Sequence, residues 1–268
     1  MTTNLTPEAW DKQYARQAGW TRATRAYLYR RADLPHARRV LDVGCGTGTV
    51  TEEVAARTAG QVIGVDLDAA MVAFAQRRSG PRCRTIGTAT LQGRRGAVQY
   101  RLGDAHALPF PDGWFDVAVC HFVLLWCRDP GQAAREMRRV TRPGGAVLVC
   151  AEPDYGGRID YPDLPLGRWQ AEALRQEGAD PCLGRKLRGL FALPGAPSGQ
   201  AELGVIPGLW DLATLRYEFD AEWSLWERTL QGTVPAEELA RVKAADRAAI
   251  EGGERLVFMP VFYAYVRC

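Results

Sequence analysis

Residues 40–48 read Val-Leu-Asp-Val-Gly-Cys-Gly-Thr-Gly, and an acid, Asp66, closes the next apolar run. Glycine weakens a strand and loses much chain entropy on folding, so glycines directly behind an apolar strand need a reason. The reason is a tight backbone turn that a ligand can approach within contact distance. Residues 51–57 continue with a helical pattern. That puts the turn at a helix N-terminus, where backbone N–H groups point outward at an acceptor. An acid about twenty residues further on, at the end of a second strand, suits a pair of ribose hydroxyls. Together these residues imply a site for a nucleotide-type ligand.

The glycine spacing separates ligand types. The dinucleotide fingerprint G-x-G-x-x-G would place its third glycine at position 49, which is Thr49; the chain has Gly44-x-Gly46-x-Gly48, with Asp42 inside the strand. A carboxylate there is poorly suited to a pyrophosphate and suits a ligand that carries an ammonium group. Further blocks follow in order: Val98 to Leu102 and then Gly103-Asp104-Ala105, residues 107–112 leading into Phe115 to Cys120, Pro130 to Val140, Arg142-Pro143-Gly144-Gly145, and Ala146 to Cys150. As a set, residues 38–155 resemble the class I S-adenosylmethionine-dependent methyltransferases of the small-molecule type. Thr141-Arg142 departs from the leucine common ahead of the family's Pro-Gly-Gly.

The resemblance implies S-adenosyl-L-methionine as cofactor. Gly44, Cys45 and Gly46 would pass its methionyl part beside Asp42, Asp66 and Leu67 would hold the ribose, and Asp104 and Ala105 would recognise the adenine. Tyr14 lies in N-terminal helices that close over the cofactor in similar enzymes. The reaction so implied is an in-line methyl transfer, in which the protein supplies alignment, a dry pocket and sometimes a base. His121, directly after the strand 115–120, is either that base or a residue that fills space beside the cofactor. The segments after the fourth and fifth strands supply Trp126, Asp154, Tyr155 and Trp169 as substrate contacts, with capping of the next helix as the alternative for Asp154. The acid Glu152 stands at the same edge. Trp169, Trp210, Tyr217, Phe219, Trp223 and Trp226 either wall a substrate pocket or fill core.

The elements that must position these residues are an α/β fold. Apolar runs at 39–43, 61–66, 98–102, 115–120 and 146–151 are buried on both faces, which requires a parallel sheet with helices on each side. The expected architecture is a doubly wound, mostly parallel sheet, and the resemblance implies that it is Rossmann-like with an antiparallel last strand. Residues 1–37 form an N-terminal helical cover, with two helices across 7–32, and 38–154 the cofactor-binding core. Residues 155–255 form a helical cap with core elements, and 256–268 the last strand of the core sheet. Helices are expected at 169–177, 185–192 and 235–251, and Asp68 is expected to cap the helix through Met71.

At 268 residues, with 47% hydrophobic and 24% charged residues, the chain has the composition of an ordinary globular protein. Its net charge of +3 implies neither a nucleic-acid nor a membrane partner, and no apolar run is long enough to span a bilayer. Seven cysteines without a C-x-x-C pair suggest neither a disulfide framework nor a metal site, which points to a reducing, cytoplasmic setting. Residues 80–97, with Arg82, Arg84, Arg94 and Arg95, are either a solvated loop or a contact for an anionic substrate or RNA. The alternatives to a small-molecule methyltransferase are therefore an RNA-directed one using this insertion, or a cofactor-binding protein without turnover. Oligomeric state is not encoded in any motif.

Overall fold

A computed structural model describes residues 5–80, 97–192, 201–206 and 208–268. The arginine-rich segment, with Arg82, Arg84, Arg94 and Arg95, falls outside the described residues. The chain begins with α1 (Pro7–Trp20), started by Thr6, whose side chain accepts the Ala9 N–H, and α2 (Arg22–Arg31). The core alternates β1 (Arg39–Val43), α3 (Thr49–Ala55), β2 (Gln61–Asp66), α4 (Ala69–Ser79), β3 (Val98–Leu102), β4 (Phe115–Cys120), α5 (Pro130–Val140) and β5 (Thr141–Pro153). The remainder is β6 (Ile159–Tyr161), α6 (Leu166–Gln176), α7 (Leu187–Phe191), β7 (Ala201–Ile206), β8 (Leu209–Trp210), α8 (Leu212–Thr229), α9 (Ala236–Glu251), β9 (Leu256–Phe258) and β10 (Val261–Arg267).

Seven strands form one sheet in the order β3-β2-β1-β4-β5-β10-β7. Pairing is parallel from β3 through β5, and β10 runs antiparallel to both β5 and β7, so it alone opposes the others. Successive strand residues point to opposite faces, and the two faces bury different helices. Leu41, Val43, Ile63, Val65, Ala118 and Val147 pack with α5 and α7 through Met137, Leu187 and Phe191. Val40, Val62, Val98, Val117, Val119 and Leu148 pack with α2, α3 and α4 through Leu28, Val54 and Ala75. This explains why the strands read as unbroken apolar runs.

Two expectations need correction here. Leu256 to Val266 is not one strand: β9 pairs with β6 and β8 in a separate three-stranded sheet, and only β10 enters the core. Pro260 separates the two, since proline cannot donate to a ladder. Arg142 to Gly145 is not a turn ahead of the fifth strand but a bulge inside β5, between the pairs Phe115–Thr141 and Val117–Ala146. The Arg142 guanidinium there donates to Asp116 (2.7 Å).

A third cluster is the core of the cap. Leu215, Phe219, Trp223, Trp226 and Leu230, spaced by three and four along α8, pack with Leu166 of α6, Leu239 and Val242 of α9 and Val257 of β9. Buried charges knit the same region. Arg255 donates to Asp246 on α9 and to Asp160 on β6 (2.6 Å each), and Asp160 also pairs with Arg158 (2.7 Å). Among the described residues no helix is long and apolar enough to cross a membrane. Trp223 is fully buried, and its Nε1–H donates to Asp246 (2.7 Å). Trp223→Ala should therefore cost about 3–5 kcal/mol in denaturant unfolding; a loss under about 1 kcal/mol would show that the cap does not depend on this core.

Candidate active site

At the carboxyl ends of β1, β2 and β4 the backbone opens into a cavity of about 1140 Å³. Gly44 (φ +68°) and Gly46 (φ +51°) hold left-handed conformations that other residues adopt only at a cost. Space forbids a side chain as well. A Cβ on Gly46 would lie 2.8 Å from the Tyr14 ring, and one on Gly44 would run into Val123. Tyr14 is stacked on Trp10 (5.3 Å between centroids), so α1 lies directly over the turn.

Asp66 clasps this turn to the end of β2. Its carboxylate accepts the Gly46 N–H (2.7 Å) and the Asp68 N–H (2.9 Å). Burial raises its pKa, and those N–H groups oppose the rise. Asp42 is deeper, with its Oδ2 taking the Thr51 hydroxyl (2.6 Å), and burial pushes it to about 7. Asp104, at the end of β3, accepts the backbone N–H (2.8 Å) and imidazole (2.7 Å) of His106, which hold its pKa down.

The crossover after β4 is strained and then secured. Phe122 has φ +56°, rare for a bulky residue. The buried carboxylate of Glu152 accepts three successive N–H groups, of Val123 (2.9 Å), Leu124 (2.8 Å) and Leu125 (3.2 Å). These bonds seat Val123 against Gly44 and aim His121 and Trp126 at the cavity. His121 meets α2: its Nε2 lies 2.8 Å from Thr21 Oγ1 and 3.4 Å from Arg25 Nη1. Burial and the guanidinium push the imidazole down to about 3, so it is neutral and weakly basic.

The far wall comes from α1 and the cap. Arg16 bridges Glu218 (2.6 Å) and Glu222 of α8. Trp20 packs on Trp210 (5.0 Å), and Phe219, Trp223, Trp226 and Tyr155 complete an aromatic lining around Arg158 and Gln170. The cavity thus joins a polar nucleotide-type turn to an apolar chamber with charged groups set in it.

Comparison with known proteins agrees with this architecture. Residues 41–149 match the family described as a methyltransferase domain. They are a class I S-adenosylmethionine-dependent methyltransferase domain. The chain is 34% identical over 192 residues to an uncharacterized methyltransferase of Schizosaccharomyces pombe, a match spanning 67% of this chain and 64% of that protein. It is 37% identical over 120 residues to a malonyl-[acyl-carrier protein] O-methyltransferase of Halorhodospira halophila, spanning 43% of this chain and 35% of that one. The chain thus covers less than two thirds of the length of these relatives. In fold it is similar to a phosphoethanolamine N-methyltransferase of Haemonchus contortus, with a TM-score of 0.59 at 17% identity over 94% of this chain and 57% of that one.

The residues of the methyltransferase domain fit its cofactor. Asp66 and Leu67, Asp104 and Ala105, and the turn Gly44-Cys45-Gly46 all line the same cavity, together with Asp42, Tyr14 and His121. Trp126 and Tyr155 line it too. Three other sequence candidates lie elsewhere. The Asp154 side chain makes no capping bond to the short 3-10 turn that follows it and does not line the cavity; it is buried in a bidentate pair with Arg185 (2.5 and 2.7 Å). Trp169 packs into the cap core. Tyr217, on the outer face of α8, is 85% exposed. Glu152, at the edge where a substrate contact was conceivable, is turned inward to the backbone. His121 as a base is disfavoured by its depressed pKa. Sequence reading missed Arg16, Glu218, Glu222, Arg158 and Gln170, none of which belongs to a motif; the Glu218/Glu222 spacing of one helical turn was the available signal.

A carboxylate with its pKa raised to about 7 favours the folded state most below the ordinary value near 4, and that contribution is lost as pH rises through 7. Asp42→Asn removes the titration. Its melting temperature relative to wild type should climb between about pH 4 and pH 7, and a difference independent of pH would contradict the buried, ionisable Asp42 described above.

Proposed function

We propose that this protein transfers the methyl group of S-adenosylmethionine to a small-molecule acceptor held beneath the cap. The observation that carries the reading is the continuity of one cavity, of about 1140 Å³, from the Asp66 turn to the Trp20–Trp210 wall. That volume is just past the upper end of the roughly 300–1000 Å³ of ligand clefts, and the lining runs past the glycine turn to Trp20, Trp210 and Glu222 of the cap side, which is the space we assign to the acceptor. The methyltransferase relatives, one of them an O-methyltransferase, support the reaction type. Bound S-adenosylmethionine would supply an electrophilic methyl group on a sulfonium.

The chain's own residues bind, orient and exclude water. Asp66 offers remaining lone pairs to the ribose hydroxyls, and charge-assisted bonds of that kind are stronger than neutral ones. Asp104 and Ala105 flank the adenine. Tyr14 roofs the turn, while Trp20, Trp210, Phe219 and Trp226 keep the chamber dry and align an apolar or planar acceptor. Because His121 is a weak base, the reading favours nucleophiles that react with little help, such as thiolates, neutral amines and enolate-type carbons. The burial of Cys45, Cys120 and Cys150 in or beside strands, where free cysteine packs as a small apolar residue, supports a reducing, cytoplasmic setting.

Two measurements test the reading. Asp66→Ala should weaken S-adenosylhomocysteine binding by about 2–4 kcal/mol in calorimetry, with the fold retained; unchanged affinity would remove Asp66 from the site. A screen with methyl-labelled cofactor against thiols, phenols, carboxylates and amines should label one class. Labelling of RNA alone would favour the RNA-directed alternative, and cofactor binding with no labelled product would favour a protein without turnover.

A further inference from the structure

His121 stands at the cavity wall with both its ring nitrogens assigned different surroundings. Nε2 faces α2, 2.8 Å from Thr21 Oγ1 and 3.4 Å from Arg25 Nη1. A guanidinium can only donate. Arg25 is 1% exposed, is fixed by Glu53 (3.2 and 2.5 Å), and also donates to Thr21 Oγ1 (2.5 Å). Thr21 therefore accepts from Arg25 and has one proton to give. Its options are His121 Nε2 and, at the longer distance of 3.3 Å, the Gln17 carbonyl. A proton on Nε2 would aim N–H at N–H, so Nε2 carries the lone pair and the ring proton is on Nδ1.

The ring lines the cavity, and among the described residues its hydrogen bonds are all at Nε2, leaving Nδ1 without a protein partner. The strand register places His121 one residue past the pair Cys120–Val43, beside the Gly44 turn, and Asp42, paired with Val119 two positions back, lines the same cavity. An acid that suits an ammonium group and an N–H donor near one turn together match the two charged ends of an amino acid. We propose that Thr21 and Arg25 hold His121 in the Nδ1–H tautomer, which makes it a hydrogen-bond donor to the carboxylate of the cofactor's amino-acid part. The carboxylate role rests on the cofactor reading of the cavity given above. Thr21 and Arg25 act through the ring as positioning residues, and the buried cation behind Nε2 strengthens the Nδ1–H as a donor.

The tautomer is read without ligand, by long-range nitrogen NMR of the histidine-labelled protein, with the His121 signals assigned by their loss in His121→Asn. The expected pattern between about pH 6 and pH 8 is an unprotonated Nε2 and a protonated Nδ1; the opposite tautomer overturns the inference. Calorimetry then compares S-adenosylhomocysteine with 5′-methylthioadenosine, which shares the nucleoside and lacks the amino-acid part. His121→Ala should weaken the first about 10- to 100-fold and the second less than about twofold. His121→Asn, which carries an N–H donor on Cγ as the imidazole carries Nδ1, should restore most of the loss. Thr21→Val should weaken S-adenosylhomocysteine and Thr21→Ser should not. Equal losses for both nucleosides, or none, overturn the carboxylate role. Failure of the wild-type protein to bind either nucleoside would instead overturn the cofactor reading itself, and the carboxylate role with it.

Discussion

One buried carboxylate sets the geometry on which the cavity depends. Glu152, fully buried at the end of β5, satisfies three consecutive N–H groups of the neighbouring crossover. Burying a charge is costly unless hydrogen bonds answer it, and burial indeed pushes this carboxyl up to about 7 while the three N–H groups pull it down. In return the crossover is fixed even though Phe122 is held in the left-handed region. Val123 is thereby pressed on Gly44, and His121 is presented to Thr21 at the junction of α1 and α2. The turn, the strand end and the N-terminal helices are linked through that one acid.

The cavity also lies between the sheet with its packed helices and a cap that has its own core. The two faces of the doubly wound sheet carry separate apolar clusters, one of which takes in α2, and the cap has a core of its own. Arg16, reaching from α1 to Glu218 and Glu222 on α8, is the polar tie across the opening. The three side chains are largely buried, so removing one partner would leave an uncompensated charge at the cavity wall.

What the sequence revealed follows the locality of the physics. Strands β1 to β4 and helix α5 were readable because each residue faces a core on one side of the sheet or the other, so hydrophobic runs and their caps coincide with element ends. The glycine turn and Asp66 were readable because close backbone approach and a strand-end acid are demands on single residues. Helix α8 was overlooked although Leu215, Phe219, Trp223 and Trp226 recur at helical spacing; their aromatic character drew attention to substrate contact instead of periodicity. The fate of Asp154 was not readable, because its partner Arg185 lies 31 positions away in a segment without a motif. The same holds for the Thr21–Arg25–His121 contacts, which join positions about a hundred residues apart.

The central claim is that cofactor and acceptor share one cavity, divided between the strand ends and the cap. A crystal structure with S-adenosylhomocysteine bound tests it most directly. The ligand should lie along Gly44 to Gly46 with its ribose on Asp66, and the space lined by Trp20, Trp210 and Glu222 should stay open beside its sulfur. Density for the nucleoside under the cap aromatics, or away from Asp66, would contradict the account.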